Sequence, residues 1–167
     1  MSLARLYLSG SVQRWHMNPA MARSGQTNAD HQWRCVLLLL ALHPEPSLPL
    51  IRALAGHDVG ELGAGDLSYD FKRAQPEFAA QHAEFETRAR EALCGPDPVL
   101  SLDEARWLKL IDRLEAAAWV LVSNPAEYER VASGWAAAEG ILLHDAERLG
   151  CGSAVRGLLH DLKGGRW

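Results

Sequence analysis

Apolar residues recur along this chain at three- and four-residue spacing inside segments bounded by proline and glycine. No run of alternating β-branched residues between them is long enough for a strand. The pattern predicts an all-α fold. A first helix is expected from about Leu3 to Arg14, followed by a polar connection from Asn18 to Thr27 that contains Pro19 and Gly25. Asn28 can cap the next helix, which carries His31 through Leu42 and stops before Pro44. Ser47 or Leu48 opens a third helix, with Pro49 in its first turn, that is expected to end near Gly63. After a loop from Gly63 to Arg73, Pro76 starts a helix that runs to Leu93 and is closed by Gly95-Pro96. Ser101-Leu102-Asp103-Glu104 has the form of a capping box and begins a long helix to about Ser123. Asn124-Pro125 restarts the chain for a helix to about Leu149, and a short one follows Gly152. With no repeat, low-complexity tract or interdomain linker, the expectation is one domain over 1–167, a bundle of about six or seven helices.

Composition narrows the function classes. A chain of 167 residues, 48% hydrophobic and 23% charged, is long enough to bury a core. Its formal net charge of -4 offers no broad basic field, so duplex nucleic acid is an unexpected main partner. Cys35, Cys94 and Cys151 are odd in number and without zinc-ribbon spacing, which fits a reducing compartment without structural disulfides. The longest apolar run, Val36 to Leu42, is far short of the roughly 20 residues that cross a bilayer. Met1 to Gly10 lacks the charged and apolar regions of a secretion signal. The expectation is therefore an unsecreted cytoplasmic protein.

Chemistry enters where the apolar stripes are interrupted. On the third expected helix Leu50, Ile51 and Leu54 form a stripe that His57, Asp58 and Glu61 continue, where a core helix would carry Leu or Ala. His57 and Glu61 are expected one helical turn apart on one side. Asp112 repeats the anomaly on the long helix, between Leu108 and Ala116, and His31 stands on the second helix. An imidazole or carboxylate on a buried face must be hydrogen-bonded, paired or metal-bound, because an uncompensated buried charge costs several kcal/mol. A divalent cation shared by His31, His57, Asp58 and Asp112 would satisfy all four. His144-Asp145 and His160-Asp161 are expected to be solvated pairs near helix ends: the first has no glutamate at the four-residue spacing that separates His57 from Glu61, and the second leaves no room for a later helical ligand. His16, His43 and His82 fall in loop or polar contexts and are expected to be surface residues, not ligands, and Trp33, Trp107, Trp119 and Trp135 are expected mainly to pack.

A helical His, a His-Asp dipeptide and a distant helical Asp form the ligand pattern of the HD-domain phosphohydrolases, which this chain resembles from about Arg14 to Trp119. The matching segments are Arg14-Trp15, Asn28-Ala29-Asp30-His31, His57-Asp58-Val59-Gly60-Glu61, Gly65-Asp66-Leu67 with Lys72, and Ile111 through Ala116. The likeness is greatest to the compact 5'-deoxynucleotidases and phage deoxynucleoside triphosphohydrolases. Gly25-Gln26-Thr27-Asn28 looks most like phage enzymes that hydrolyse dATP, a group associated with genomes containing 2-aminoadenine. The resemblance implies an HD-type bundle, homo-oligomers, and a host-cytoplasm location if phage-encoded. It also implies a divalent ion, Zn, Co or Mn, with Mg admitted as a second, phosphate-bound ion.

The same resemblance gives Glu61 the role of general base or water-orienting group, and makes Arg14 and Lys72 phosphate-binding cations. Lys109 lies one turn before Asp112 and is expected in the same cleft. Three cations suit a triphosphate better than a monophosphate. In the resembling enzymes an aromatic residue at the position of Trp15 packs where a 2'-hydroxyl would sit, implying deoxyribose selection. Met17 would lie near the base. The leading expectation is a dATP triphosphohydrolase, the runner-up a 5'-deoxynucleotidase acting on dNMPs. A catalytically silent helical binding protein is the alternative of another class, against which the intact His31, His57, Asp58, Glu61 and Asp112 stand. A hydrolase of cyclic dinucleotides or guanosine tetraphosphate would show further ligands or a synthetase domain, and the chain has neither.

Overall fold

A computed structural model describes residues 2–130 and 132–166, apart from the side chains of Tyr69, Arg130 and 132–137. Its helices are α1 (Leu3–Ser9), α2 (Asn28–Leu42), α3 (Leu48–Gly56), α4 (Glu61–Ala64), α5 (Tyr69–Ala74), α6 (Pro76–Cys94), α7 (Leu102–Ser123), α8 (Pro125–Arg130), α9 (Ala132–Arg148) and α10 (Gly152–Lys163). Among the described residues, paired extended backbone is limited to an isolated antiparallel bridge between Gln13 and Thr27. The chain is all-α, as the periodicity predicts. None of the described helices is long and apolar enough to cross a membrane. The three cysteines are free thiols.

The chain divides into two compact units that alternate in sequence: Met1–Trp33 with Ala55–Pro98, and Arg34–Leu54 with Val99–Trp167. In the second, α7 packs on α8, α9 and α10, and α9 packs on α8 and α10. Its buried side chains are almost all apolar. Leu110, Ile111, Leu114 and Val120 are fully buried along α7, and Val155 on α10. Removing each such aliphatic side chain from water contributes about 1.5–3 kcal/mol. The start of α7 is set by the expected capping box: Glu104 N–H donates to Ser101 Oγ (3.2 Å) and Ser101 N–H to Glu104 Oε2 (2.7 Å).

In the first unit α6 packs on α1, α4 and α5, and α1 on α4. The interior here is different in kind. Ser9, Gln26, Asn28, His31, Gln32, Asp58 and Glu61 are buried, beside the apolar Met21, Val59 and Leu93. Gly60 lets α4 reach α6: a Cβ there would overlap the Glu86 carbonyl.

Several boundaries differ from expectation. The first helix ends at Ser9 instead of continuing to Arg14. Residues 10–14 lie against 26–29, with Arg14 N–H on Gln26 O (3.0 Å), Asn28 N–H on Val12 O (3.0 Å) and Ala29 N–H on Gly10 O (3.1 Å). The third helix stops at Gly56, and a turn carries His57 to Gly60 before α4 begins. Inside the expected loop, Ser68 Oγ accepts from Phe71 N–H (3.2 Å) and caps α5. The helix expected after Asn124-Pro125 is described as α8 and α9, and Val131 between them lies outside the described residues. These breaks give more and shorter helices than six or seven.

Trp107 is 6% exposed and packs as expected, with His43 against it at 4.8 Å. Trp119 is half-buried under the Arg34 guanidinium, 5.0 Å from the ring centroid. Trp33 is corrected: it is 61% exposed, because two residues after His31 a helix has turned about 200° and the side chain leaves the buried face. The side chain of Trp135 lies outside the described residues.

Gly60→Ala should lower the denaturant midpoint by an amount corresponding to about 1–3 kcal/mol, since backbone, not a flexible side chain, stands where the methyl must go. A wild-type midpoint would show that the α4 to α6 approach tolerates a methyl group.

Candidate metal centre

The site of the first unit is built on three stretches of chain: the loop before α2, the start of α2, and the turn between α3 and α4. Thr27 rather than Asn28 caps α2, because its Oγ1 accepts from Asp30 N–H at 3.3 Å. The Asn28 side chain is thereby released to bond across the interior, where Nδ2 donates to the Asp58 carbonyl (3.1 Å) and to Glu61 Oε2 (2.8 Å). His31, one turn into α2, is fully buried.

His57 and Asp58 lie in the turn, not on a helix as expected, and so does the link from them to Glu61, which opens α4. The peptide between His57 and Asp58 is held at both of its polar ends. Arg90 Nη1, from α6, donates to the His57 carbonyl (3.0 Å). Gln32, with its amide oriented to satisfy both groups, accepts from Asp58 N–H (3.2 Å) and donates to Ala55 O (3.1 Å).

These constraints bring three donor atoms together. His31 Nε2 is 3.1 Å from His57 Nε2, and Asp58 Oδ2 is 3.6 Å from the first and 3.4 Å from the second. Ligands of a zinc-sized ion at about 2.0–2.1 Å are about 3.0 Å apart at octahedral edges and about 3.4 Å apart at tetrahedral ones. The 3.1 and 3.4 Å separations fall in that range, and the 3.6 Å one between His31 and Asp58 lies just above it. Two imidazoles and one carboxylate, with His31 and Asp58 buried and His57 partly so, could hold a divalent ion, and they are the donor types that zinc, cobalt and manganese accept. Arg14 Nη1 bonds the same Asp58 Oδ2, so the carboxylate is oriented by a fixed cation on one side and faces both imidazoles on the other.

Carboxylates extend the site. Oxygens of Asp58, Glu61 and Glu86 lie within 4.8 Å of one another. Burial, then the Asp58 and Asp66 carboxylates, pushes the Glu61 carboxyl up to about 8, against the Asn28 amide and Arg14. Glu86 on α6 is raised by burial and then by Asp58, with Lys72, His82 and Arg90 opposing. His82 is no surface residue as expected: its ring bonds Ala64 O (3.2 Å) and lies 3.7 Å from Glu86.

Trp15 has φ 63°, a left-handed backbone that bulky residues rarely adopt. Its backbone N–H donates to Asp66 Oδ2 (3.1 Å) and its indole N–H to Gln26 Oε1 (2.6 Å), and the ring is half-buried. Met17 is 42% exposed, and Lys72 is exposed in the last turn of α5. Lys109 and Asp112 belong to the second unit, on α7, where Lys109 is exposed and Asp112 half-buried. His144 and His160 are exposed, and Asp145 pairs with Arg113 (3.4 Å).

Sequence reasoning missed Asn28 as a side-chain partner of the site, and Gln32, Glu86 and Arg90 altogether. One signal was present: His82, Glu86 and Arg90 recur at four-residue spacing, a polar stripe on α6 facing one side. Comparison of the chain with family models, curated proteins and solved structures finds no match.

His31→Ala and His57→Ala should each reduce cobalt bound at equilibrium by about tenfold or more, since each deletes one of three converging donors. Equilibrium dialysis with metal analysis decides this, and wild-type occupancy in both variants would dissolve the centre.

Proposed function

We propose that the chain is a metal-dependent phosphohydrolase of the HD type acting on deoxynucleotides, with dATP as the leading substrate. The observation that carries this reading is the convergence of His31 Nε2, His57 Nε2 and Asp58 Oδ2 within 3.6 Å in a buried polar interior, beside Arg14 and Glu61. A bound divalent ion would supply Lewis-acid activation of a phosphoryl oxygen and of water. His31, His57 and Asp58 would hold it. Asp112 and Lys109 enter this reading through the sequence pattern and the resemblance.

The remaining roles fall to the chain's own side chains. Glu61 is positioned by Asn28, and a carboxyl with its pKa near 8 is matched to giving and taking a proton close to neutrality. Arg14 and Lys72 provide positive charge for phosphoryl oxygens. Trp15, pinned by Asp66 and Gln26 in a left-handed backbone, is a rigid wall suited to excluding a 2'-hydroxyl; strain of this sort concentrates at functional sites. One observation favours the runner-up, a 5'-deoxynucleotidase. Arg14, counted among the cations for a triphosphate, is engaged with Asp58, which leaves less positive charge for outer phosphates.

The deciding experiment incubates the full chain with the four dNTPs, their dNMPs and ATP in Co, Mn, Zn or Mg, and quantifies phosphate, tripolyphosphate and nucleoside. Release from dATP supports the leading reading, release from dNMPs alone the runner-up, and release from none refutes both. Glu61→Gln should keep bound metal while losing about 10²–10⁴ in rate. Full turnover would remove it from the chemistry. In Trp15→Ala the ATP-to-dATP rate ratio should rise by about tenfold or more; an unchanged ratio would take the sugar wall away from this residue.

A further inference from the structure

We propose that Arg90, locked by Asp97, is a positioning residue for the cation site: it fixes the His57–Asp58 peptide and thereby the aim of two of the three donors. The inference rests on the metal-site reading above. His57 and Asp58 stand outside any helix, so their backbone lacks the hydrogen-bond ladder that orients His31. The turn is closed at its edges, Val59 N–H on Gly56 O (3.2 Å) and Glu61 N–H on Asp58 O (3.0 Å). The His57 carbonyl is left facing α6. Arg90 takes it with Nη1 at 3.0 Å.

A lone arginine would be a poor bracket, because its long side chain has many rotamers to lose. Asp97 removes that freedom. Its two carboxylate oxygens accept from Arg90 Nε (2.8 Å) and Nη2 (2.5 Å), and Thr87 Oγ1 is 3.4 Å from Nη2. A guanidinium is planar, so a carboxylate gripping one edge fixes where the remaining N–H bonds point. The pair is half-exposed on the Asp97 side but the Arg90 side chain is only 19% exposed, with its tip inside. Gln32 holds the opposite end of the same peptide unit. Rotating that unit would swing both flanking side chains away from His31, which belongs to another element. Partners that orient metal ligands in this way typically change affinity by about 10–100-fold.

The test is cobalt titration of the full chain, wild type against Arg90→Ala, Arg90→Lys, Asp97→Ala and His57→Ala, with circular dichroism and thermal melting alongside. A role confined to bracing α6 would lower the melting temperature and leave the cobalt Kd of folded protein alone. We expect Arg90→Ala to weaken cobalt binding by about 10–100-fold at unchanged helix content, and Asp97→Ala to weaken it less. Should Arg90→Ala fail to fold, Arg90→Lys carries the same test: an ammonium cannot make the two-point grip and reach the carbonyl together, so several-fold weakening is expected. If the wild type binds cobalt and His57→Ala does not, wild-type affinity in the folded Arg90 variant overturns the positioning role while the metal centre stands. A wild type that binds no cobalt overturns both.

Discussion

The first unit depends on the burial of the Asp58 carboxylate, a group 9% exposed that must be compensated on every side. An ionised carboxylate without partners in such a place would cost several kcal/mol or be forced to protonate. Arg14 meets one oxygen, two imidazoles face it, and the backbone N–H and C=O of the same residue are taken by Gln32 and Asn28. Those partners come from three stretches of chain, so the unit can close only if the loop before α2, the start of α2 and the turn after α3 meet at one point. The short first helix follows from this requirement. Had α1 continued to Arg14, that guanidinium would sit on a helix instead of in the paired segment that carries it to Asp58.

The two units solve the folding problem by opposite means. The second buries aliphatic side chains along α7 and α10, which gives stability without directional demands. The first gives up much of that contribution, because its interior holds seven polar or charged side chains. Hydrogen bonds replace apolar contact there, and they specify positions to a fraction of an ångström. A chemical site gains from that trade.

Helix periodicity and its stop signals were legible in the sequence wherever local physics decides. The capping box at Ser101, the proline start of α6 and the apolar face of α7 are where the pattern places them. The misplaced boundaries at Ser9 and Gly56 are cases in which a distant partner overrides a local preference. Nothing near Gly56 in sequence states that α6 will draw the turn through Gly60, or that Arg90 will claim the His57 carbonyl. The candidate site was legible to the extent that it violates the apolar stripe: a His-Asp pair and Glu61 stand out because core helices exclude them. Asn28 looked like a cap because caps and side-chain ligands draw on the same residue types, and only the geometry shows that Thr27 has taken the capping role.

The grouping of charges also bears on what the site can accept. Asp58, Glu61, Glu86 and Asp66 place four carboxyl groups in and around a region whose near cations are Arg14, Arg90 and Lys72. Two of those three are already committed, Arg14 to Asp58 and Arg90 to Asp97. Burial raises the pKa values of Glu61 and Glu86 most, and negative charge adds to it, from Asp58 and Asp66 at Glu61 and from Asp58 at Glu86. An anionic substrate would meet repulsion in such a place, whereas a divalent cation would relieve it and then attract phosphoryl oxygens. Under the proposed function the order of events would be cation first and nucleotide second, which would make the donors at His31, His57 and Asp58 a condition for substrate binding as well as for hydrolysis.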